Sequence, residues 1–321
     1  MGTTATEIYR EARDLLQELG RNYAKAVDAF VWPDFGERFN WAVDWFDAIA
    51  RGNERTALWI AEEDGSEARY SFDEMARRSD RVAALLASHG VCRGDHVMLM
   101  LNNQVELWES MLAVMKLGAV ILPTTTALGP AELTDRIDRG EARHVIVNVA
   151  DAHKFDAVPG DYTRFAVGAE VPVGWVAYRN AYDLDVPPAV HPGTAPSDPQ
   201  LLYFTSGTTS RPKLVEHNQV SYPVGHLATS FWVAAKPGDV HLNISSPGWA
   251  KHAWSCFFRP VDRRGDDLRL QLRAVRRGGA AGADLPRRGD HVLCAADGVA
   301  DAHQRRPVGW AGATPGADVG G

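Results

Sequence analysis

Apolar side chains recur at helical spacing across residues 5–30 and then give way to Trp32-Pro33, which predicts one or two amphipathic helices ending there. The aromatic stretch from Phe39 to Phe46 predicts a packed helix, and Ala57–Glu62 alternates like a strand. Ser71 with Glu74 three residues on has the form of a capping box, in which two side chains satisfy free N–H groups at a helix start. That helix runs to about Ser88 and stops at Gly90. A strand over His96–Leu101 follows, then a helix from about Val105 to Leu117 with Gly118 as its C-cap, and a strand over Ala119–Leu122. Pro130 opens a helix to about Arg139, and His144–Asn148 is a further apolar strand. Strands alternating with helices of these lengths predict βαβ units, hence an α/β fold with a mostly parallel, doubly wound sheet.

Proline and small residues concentrate in 186–199 (VPPAVHPGTAPSDP), which reads as a linker. The chain accordingly divides into a helical lead (1–50), a first α/β subdomain (51–195), the start of a second (196–260) and a tail (261–321). From Val261 to Gly321 there is no Lys, Glu, Ile, Met, Phe, Tyr, Ser or Asn, and Gly, Ala, Arg and Asp supply 40 of the 61 residues. So little apolar surface cannot offset chain entropy, and the tail is expected to be disordered.

Composition narrows the function class. A net charge of -7 over 321 residues argues against an electrostatic nucleic-acid binder. The cysteines, Cys92, Cys256 and Cys294, are far apart and show neither a disulfide framework nor a zinc spacing. The N-terminus lacks the basic start and apolar core of a secretory signal, and no apolar run is long enough to span a bilayer, so a cytoplasmic location is expected.

The strongest chemical signal is Leu201-Leu202-Tyr203-Phe204-Thr205-Ser206-Gly207-Thr208-Thr209-Ser210-Arg211-Pro212-Lys213. An apolar strand enters a loop of hydroxyl residues around a glycine and ends in Pro-Lys, with a helix-like stretch expected from about Asn218. Triphosphate oxygens need clustered N–H and O–H donors and a close backbone, and a lysine supplies a positive charge. The Walker spacing is absent. A plain solvated Ser/Thr turn is the alternative reading.

This string closely resembles the phosphate loop of the adenylate-forming superfamily. One departure is Ser210, where the family usually has Gly; a positive φ there would strain Ser. Arg93-Gly94-Asp95-His96-Val97, Glu106-Leu107-Trp108 and Lys116-Leu117-Gly118-Ala119-Val120 are similar to that family's first subdomain. Tyr222-Pro223-Val224-Gly225-His226 and the stretch from Leu242 to Trp254 are similar to its medium-chain acyl-CoA synthetase branch. The resemblance covers about residues 30–260 and implies a ligase that joins a small carboxylic acid to ATP, with Mg²⁺, and then to coenzyme A. It assigns Thr205, Ser206, Gly207, Thr208, Thr209 and Lys213 to the β/γ-phosphates and Trp249 to the wall of the acyl pocket, with core packing as the alternative for Trp249. Trp254 is expected in the core, His226 and His252 as structural, and Lys251 as a solvated helix residue.

The family's adenine and ribose elements and its catalytic lysine have no counterpart in the sequence, so no catalytic residue is assigned. Regrouping the codons by one base after Pro260 permits Trp-Ile-Ala-Glu-Ala-Thr-Ile-Phe-Val-Tyr-Asn-Tyr over 261–273 and Thr-Thr-Phe-Cys-Ala-Pro-Pro-Thr-Val-Trp-Arg-Met-Leu-Ile over 290–304. Both strings resemble what the family carries next, so the tail is expected to be a frameshifted reading; a genuine Arg/Gly tail is the alternative. Two expectations follow, an inactive truncated ligase and a non-catalytic remnant that binds phosphate weakly at most.

Overall fold

Each predicted helix of the α/β region starts and stops for a local reason. The computed structural model describes residues 3–20, 22–61, 65–205, 211–228, 241–242, 245–258 and 293–294. The lead forms two helices, α1 (Ala5–Leu19) and α2 (Tyr23–Ala29), with Thr4 and Glu7 making a reciprocal capping box at the first. The aromatic stretch is helical, but its first part, Trp41–Asp47, is wound as a π-helix that continues as α3 (Ala48–Ala50). Burial explains the tight packing there, since Trp41, Trp45 and Phe46 all lie in the core.

Helix α4 (Phe72–Ser88) is capped by Ser71, whose side chain accepts from the Glu74 N–H. The return half of the expected box is not made; Glu74 instead lies 4.0 Å from Arg78 one turn on. Helix α5 (Val105–Lys116) ends in a Schellman arrangement, with Gly118 N–H donating to Met115 and Ala119 N–H to Val114. Gly118 has φ +68°, and a Cβ there would come within 2.9 Å of the Thr194 methyl, so glycine serves both the turn and the close approach. Pro130 is the first residue of α6 (Pro130–Arg139).

The strands are β1 (Thr56–Ala61), β2 (Glu67–Ser71), β3 (His96–Met100), β4 (Val120–Pro123), β5 (Ala142–Asn148), β6 (Thr163–Val167), β7 (Val176–Ala177), β8 (Pro199–Thr205), β9 (Lys213–Asn218), β10 (His241–Leu242) and β11 (Leu293–Cys294). Seven of them form one sheet in the order β7-β6-β5-β3-β4-β8-β9, parallel except for the last pair. The expected strand over 57–62 is not part of it. β1 pairs antiparallel with β2 in a separate hairpin, and Glu62 lies outside the described residues.

Side-chain alternation builds two cores. Val97, Leu99, Ile121 and Ile146 face α4 and α5, whereas Met98, Met100, Val120, Leu122, Val145 and Val147 face Leu133 and Ile137 of α6. Helices therefore cover both faces, as a parallel sheet requires. The chain moves from β3 to β4 on one side, then crosses to β5 on the other, so the strand order reverses around β3.

The segment 186–199 runs in coil, yet it is pinned. Ala189 N–H donates to Asp80, Thr194 exchanges hydrogen bonds with Phe39, and β8 directly after it pairs with β4. Of the tail, only Leu293–Cys294 lies among the described residues, paired parallel with His241–Leu242. The remainder, where disorder is expected, lies outside the described residues.

A buried charge cluster joins these parts. Lys116 Nζ has no solvent exposure and lies 2.8 Å from Asp47 and 2.7 Å from Asp80. Arg51 bonds both carboxylates, at 2.6 and 2.9 Å. Desolvation pushes the Asp47 carboxyl upward against the pull of Lys116. Replacing Lys116 by Met leaves two buried carboxylates short of a cation. Urea unfolding of Lys116→Met is expected to show a loss of about 3–5 kcal/mol, the range for breaking a buried pair from one side; a loss within experimental error would contradict the cluster's role.

Candidate functional site

The hydroxyl-rich loop joins two antiparallel strands. Thr205 is paired with Lys213 across β8 and β9, and the Thr205 hydroxyl donates to the Lys213 carbonyl at 3.4 Å. The structure thus brings together the two ends of the predicted phosphate loop. Ser206, Gly207, Thr208, Thr209 and Ser210 lie outside the described residues. Lys213 is exposed, and none of the ion pairs among the described residues involves it. The helix expected from about Asn218 does not form there. Lys213–Asn218 is a strand, and residues 219–225 turn before a helical stretch at 226–228. Asn218 ends the strand because its side chain accepts from the Val220 and Ser221 N–H groups, a local competitor to both helix and ladder.

A second segment, 245–252, docks where β3 and β4 end. Asn103, just past β3, donates to the Ser245 carbonyl at 3.1 Å and lies 2.8 Å from His252 Nε2 through its side-chain oxygen. Gly248 sits against Thr125, just past β4: a Cβ at this glycine would fall 2.4 Å from the Thr125 nitrogen. The chain then enters a short helix at Ala250–His252 and a π-helix at Ala253–Phe258. Because β8 runs parallel to β4, the hydroxyl loop also leaves from a carboxyl strand end. In open α/β sheets that side, near the reversal of strand order, is where ligands bind.

Trp249 is 60% exposed, so its ring is not core packing. It belongs to a different segment from the Thr205–Lys213 pair. Trp254 is partly buried on the main core, with its ring 4.2 Å from that of His226. His226 is buried among Tyr222, Trp254 and Phe258. Lys251 is half-buried. Asn103 and Thr125 went unnoticed in the sequence, although two asparagines and three threonines directly after apolar strands are a readable signal.

Residues 45–261 match the profile of the family described as AMP-binding enzyme. The chain belongs to the AMP-binding enzyme family. Among curated proteins it is 36% identical over 229 residues to 4-hydroxybutyrate--CoA ligase 1 of Metallosphaera sedula, a match covering 70% of this chain and 40% of that protein. It is 33% identical over 233 residues to the human mitochondrial acyl-coenzyme A synthetase ACSM5, covering 69% of this chain and 40% of the relative. The chain thus spans about 40% of the length of the curated relatives it matches. Among solved structures, the acyl-CoA synthetase of Brucella canis superposes with a TM-score of 0.69 at 23% identity, covering 80% of this chain and 48% of that one. Acetoacetyl-CoA synthetase from Streptomyces lividans gives 0.66 at 21% identity, covering 85% and 47%. These two likenesses establish the AMP-binding fold.

His252 is buried in the segment docked on Asn103. Its ring is buried, and burial pushes its pKa from the ordinary 6.5 down to about 3. The sign follows from proton counting: between these values the unfolded chain binds a proton that the folded one does not, so stability falls as the pH drops below 6.5 toward 3. His252 ring signals in NMR are expected to stay those of the neutral form from roughly pH 8 to pH 4. The variant His252→Gln is expected to lose up to about 1.4 kcal/mol per pH unit of acid dependence. A midpoint near that of free histidine would refute this.

Proposed function

We propose that this chain carries the phosphate-binding and acid-binding part of an ATP-dependent acyl-CoA synthetase. In that reaction a carboxylate attacks ATP to give an acyl-adenylate and pyrophosphate, and coenzyme A then takes the acyl group as a thioester. The observation that carries the reading is the strand-paired loop at the carboxyl end of β8, closed by Thr205 and Lys213 and delivering an exposed lysine. Thr205, Ser206, Gly207, Thr208, Thr209 and Lys213 serve the β/γ-phosphates, and Trp249, on the segment docked on Asn103 and Thr125, lines the acid pocket. Such attack depends mostly on positioning and on preorganised charge.

The residues fit ATP better than they fit a resident metal. Among the described residues no group of three or more His, Cys, Asp or Glu side chains is placed to hold an ion. Mg²⁺ belongs to this reading as the companion of the triphosphate, a setting in which it keeps its waters and needs few protein ligands. Coenzyme A and a small carboxylic acid enter by analogy with the relatives, whose names are those of acyl- and hydroxyacyl-CoA ligases. No helix among the described residues is long and apolar enough to cross a membrane. Cytoplasmic location is part of the same reading, against which stands the mitochondrial designation of the human relative.

The 321 residues include no counterpart of the family's adenine, ribose and lysine elements, and in this form the chain acts at most as a weak nucleotide binder. Carboxylate-dependent ATP–pyrophosphate exchange with butyrate to decanoate is expected to stay at the no-enzyme blank. Deleting one base between the codons for Phe258 and Val261 is expected to open a long frame whose product does catalyse exchange. Turnover by the unaltered chain, or an unrelated downstream frame, would sink this part of the proposal. Calorimetric titration with MgATP tests the phosphate loop itself. Lys213→Ala removes a charge-assisted bond and is expected to weaken MgATP by roughly 1.5–3 kcal/mol, while AMP binding changes little.

A further inference from the structure

We infer that Arg139 is a positioning residue for the phosphate loop: it holds the loop's exit at Pro212 and thereby sets the direction of Lys213. The inference rests on the proposed phosphate role of Lys213 and adds a residue from a different part of the chain. Arg139 is the last residue of α6, far from the loop in sequence. Its Nη2 donates to the Pro212 carbonyl at 2.8 Å. On the other side its Nη1 lies 3.0 and 3.4 Å from the two carboxylate oxygens of Asp135, one turn earlier on the same helix. The guanidinium is thus held between a carboxylate of its own helix and a carbonyl of the loop.

Phe204 supplies the floor of this clamp. It precedes Thr205 on the entering strand, and the Arg136 and Arg139 guanidinium carbons lie 4.0 and 5.3 Å from its ring centroid. Gly140 lets the helix end press down: a Cβ there would lie 2.7 Å from Leu122 and 3.3 Å from Phe204. The same helix end therefore grips both strands that carry the loop, through the ring of Phe204 on the way in and the carbonyl of Pro212 on the way out. Pro212 has no N–H, and its φ is fixed, so anchoring its carbonyl fixes the peptide plane that precedes Lys213. An arginine suits the task because its planar fork can serve the carbonyl and Asp135 at once, whereas a lysine offers a single flexible ammonium.

The test uses the full 321-residue chain with Arg139→Met, which keeps length and removes every donor, and Arg139→Lys, which keeps a charged donor group without the planar fork. Amide hydrogen exchange without nucleotide is followed over 213–218 and, as a control, over 96–101. Calorimetry with MgATP and with AMP is run on the same proteins. In Arg139→Met, exchange over 213–218 is expected to rise about tenfold while the control is unmoved, and MgATP is expected to bind about tenfold more weakly with AMP unchanged. Arg139→Lys should recover part of both effects. Unchanged protection over 213–218, or a loss spread equally over both segments, overturns the clamp, since the latter is what mere structural packing gives. The phosphate reading falls separately if the unaltered chain does not bind MgATP, or if local protection is lost and yet neither Arg139→Met nor Lys213→Ala moves MgATP affinity; the functional role of Arg139 then falls with it.

Discussion

The ammonium of Lys116 is the point on which the architecture turns. It sits with no water access between Asp47 from the lead and Asp80 from α4, with a further bond to the Ala76 carbonyl at 3.1 Å. Asp80 in turn accepts from Ala189, in the segment that leads to β8. Four stretches of chain distant in sequence therefore share one desolvated charge group. Removing charges from water costs several kcal/mol per ion, and only good geometry and saturated bonding recover it. Such a cluster is poor at adding net stability and good at rejecting alternatives, because any mispacking of the lead or of the 186–199 segment leaves a buried carboxylate or ammonium unpaired.

From that anchor the geometry of the site follows by short steps. Lys116 closes α5, and Gly118 turns the chain into β4 while admitting Thr194. Thr194 donates to the Phe39 carbonyl, and the neighbouring Asn40 donates to Met115 at 2.7 Å, so lead, helix and pinned segment are tied at one place. β8 then falls beside β4 and launches the hydroxyl loop from the carboxyl side of the sheet. On the same side the ends of β3 and β4 offer Asn103 and Thr125 to the segment that presents Trp249. The elements proposed for phosphate and acid binding thus all take their positions from β3 and β4.

Elements ruled by local chemistry were legible in the sequence. The caps at Ser71 and Pro130, the stop at Gly118 and the apolar strands β3, β4 and β5 sit where pattern and propensity place them, within a residue or two, whereas β6 was not foreseen. What escaped was decided by tertiary partners. β1 has the alternation of a strand, but nothing in its own residues says that β2 and not the main sheet would take it. The helix expected from about Asn218 is replaced by a turn over 219–225, because the Asn218 side chain accepts from the Val220 and Ser221 N–H groups, and helical winding begins only at 226. The π-winding of Trp41–Asp47, which buries Trp41, Trp45 and Phe46 together, is not a pattern that the 3.6-residue periodicity encodes. The residue types of the candidate site were readable at Thr205, Lys213 and Trp249, whereas the supports at Asn103 and Thr125 have meaning only once the strands beneath them are in place.

Under the phosphate role proposed for Lys213, the demands of folding and of ligand binding collide in β9. It closes the described sheet, and Lys213, Leu214, Val215 and Glu216 are all exposed, so neither face nor the outer edge is covered by a described element. An exposed edge with adjacent apolar residues invites pairing with another chain, and flanking charges are the usual defence. Here the flanking charges are Lys213 and Glu216. Committing Lys213 to a phosphate group takes it out of that defence, and burying it against a neighbouring strand would take it from the phosphate. A strand that must keep its lysine free for a ligand cannot also spend it on protecting its edge. Support for β9 therefore has to come from its inner side, from the ladder with β8 and from the helix end that reaches Pro212.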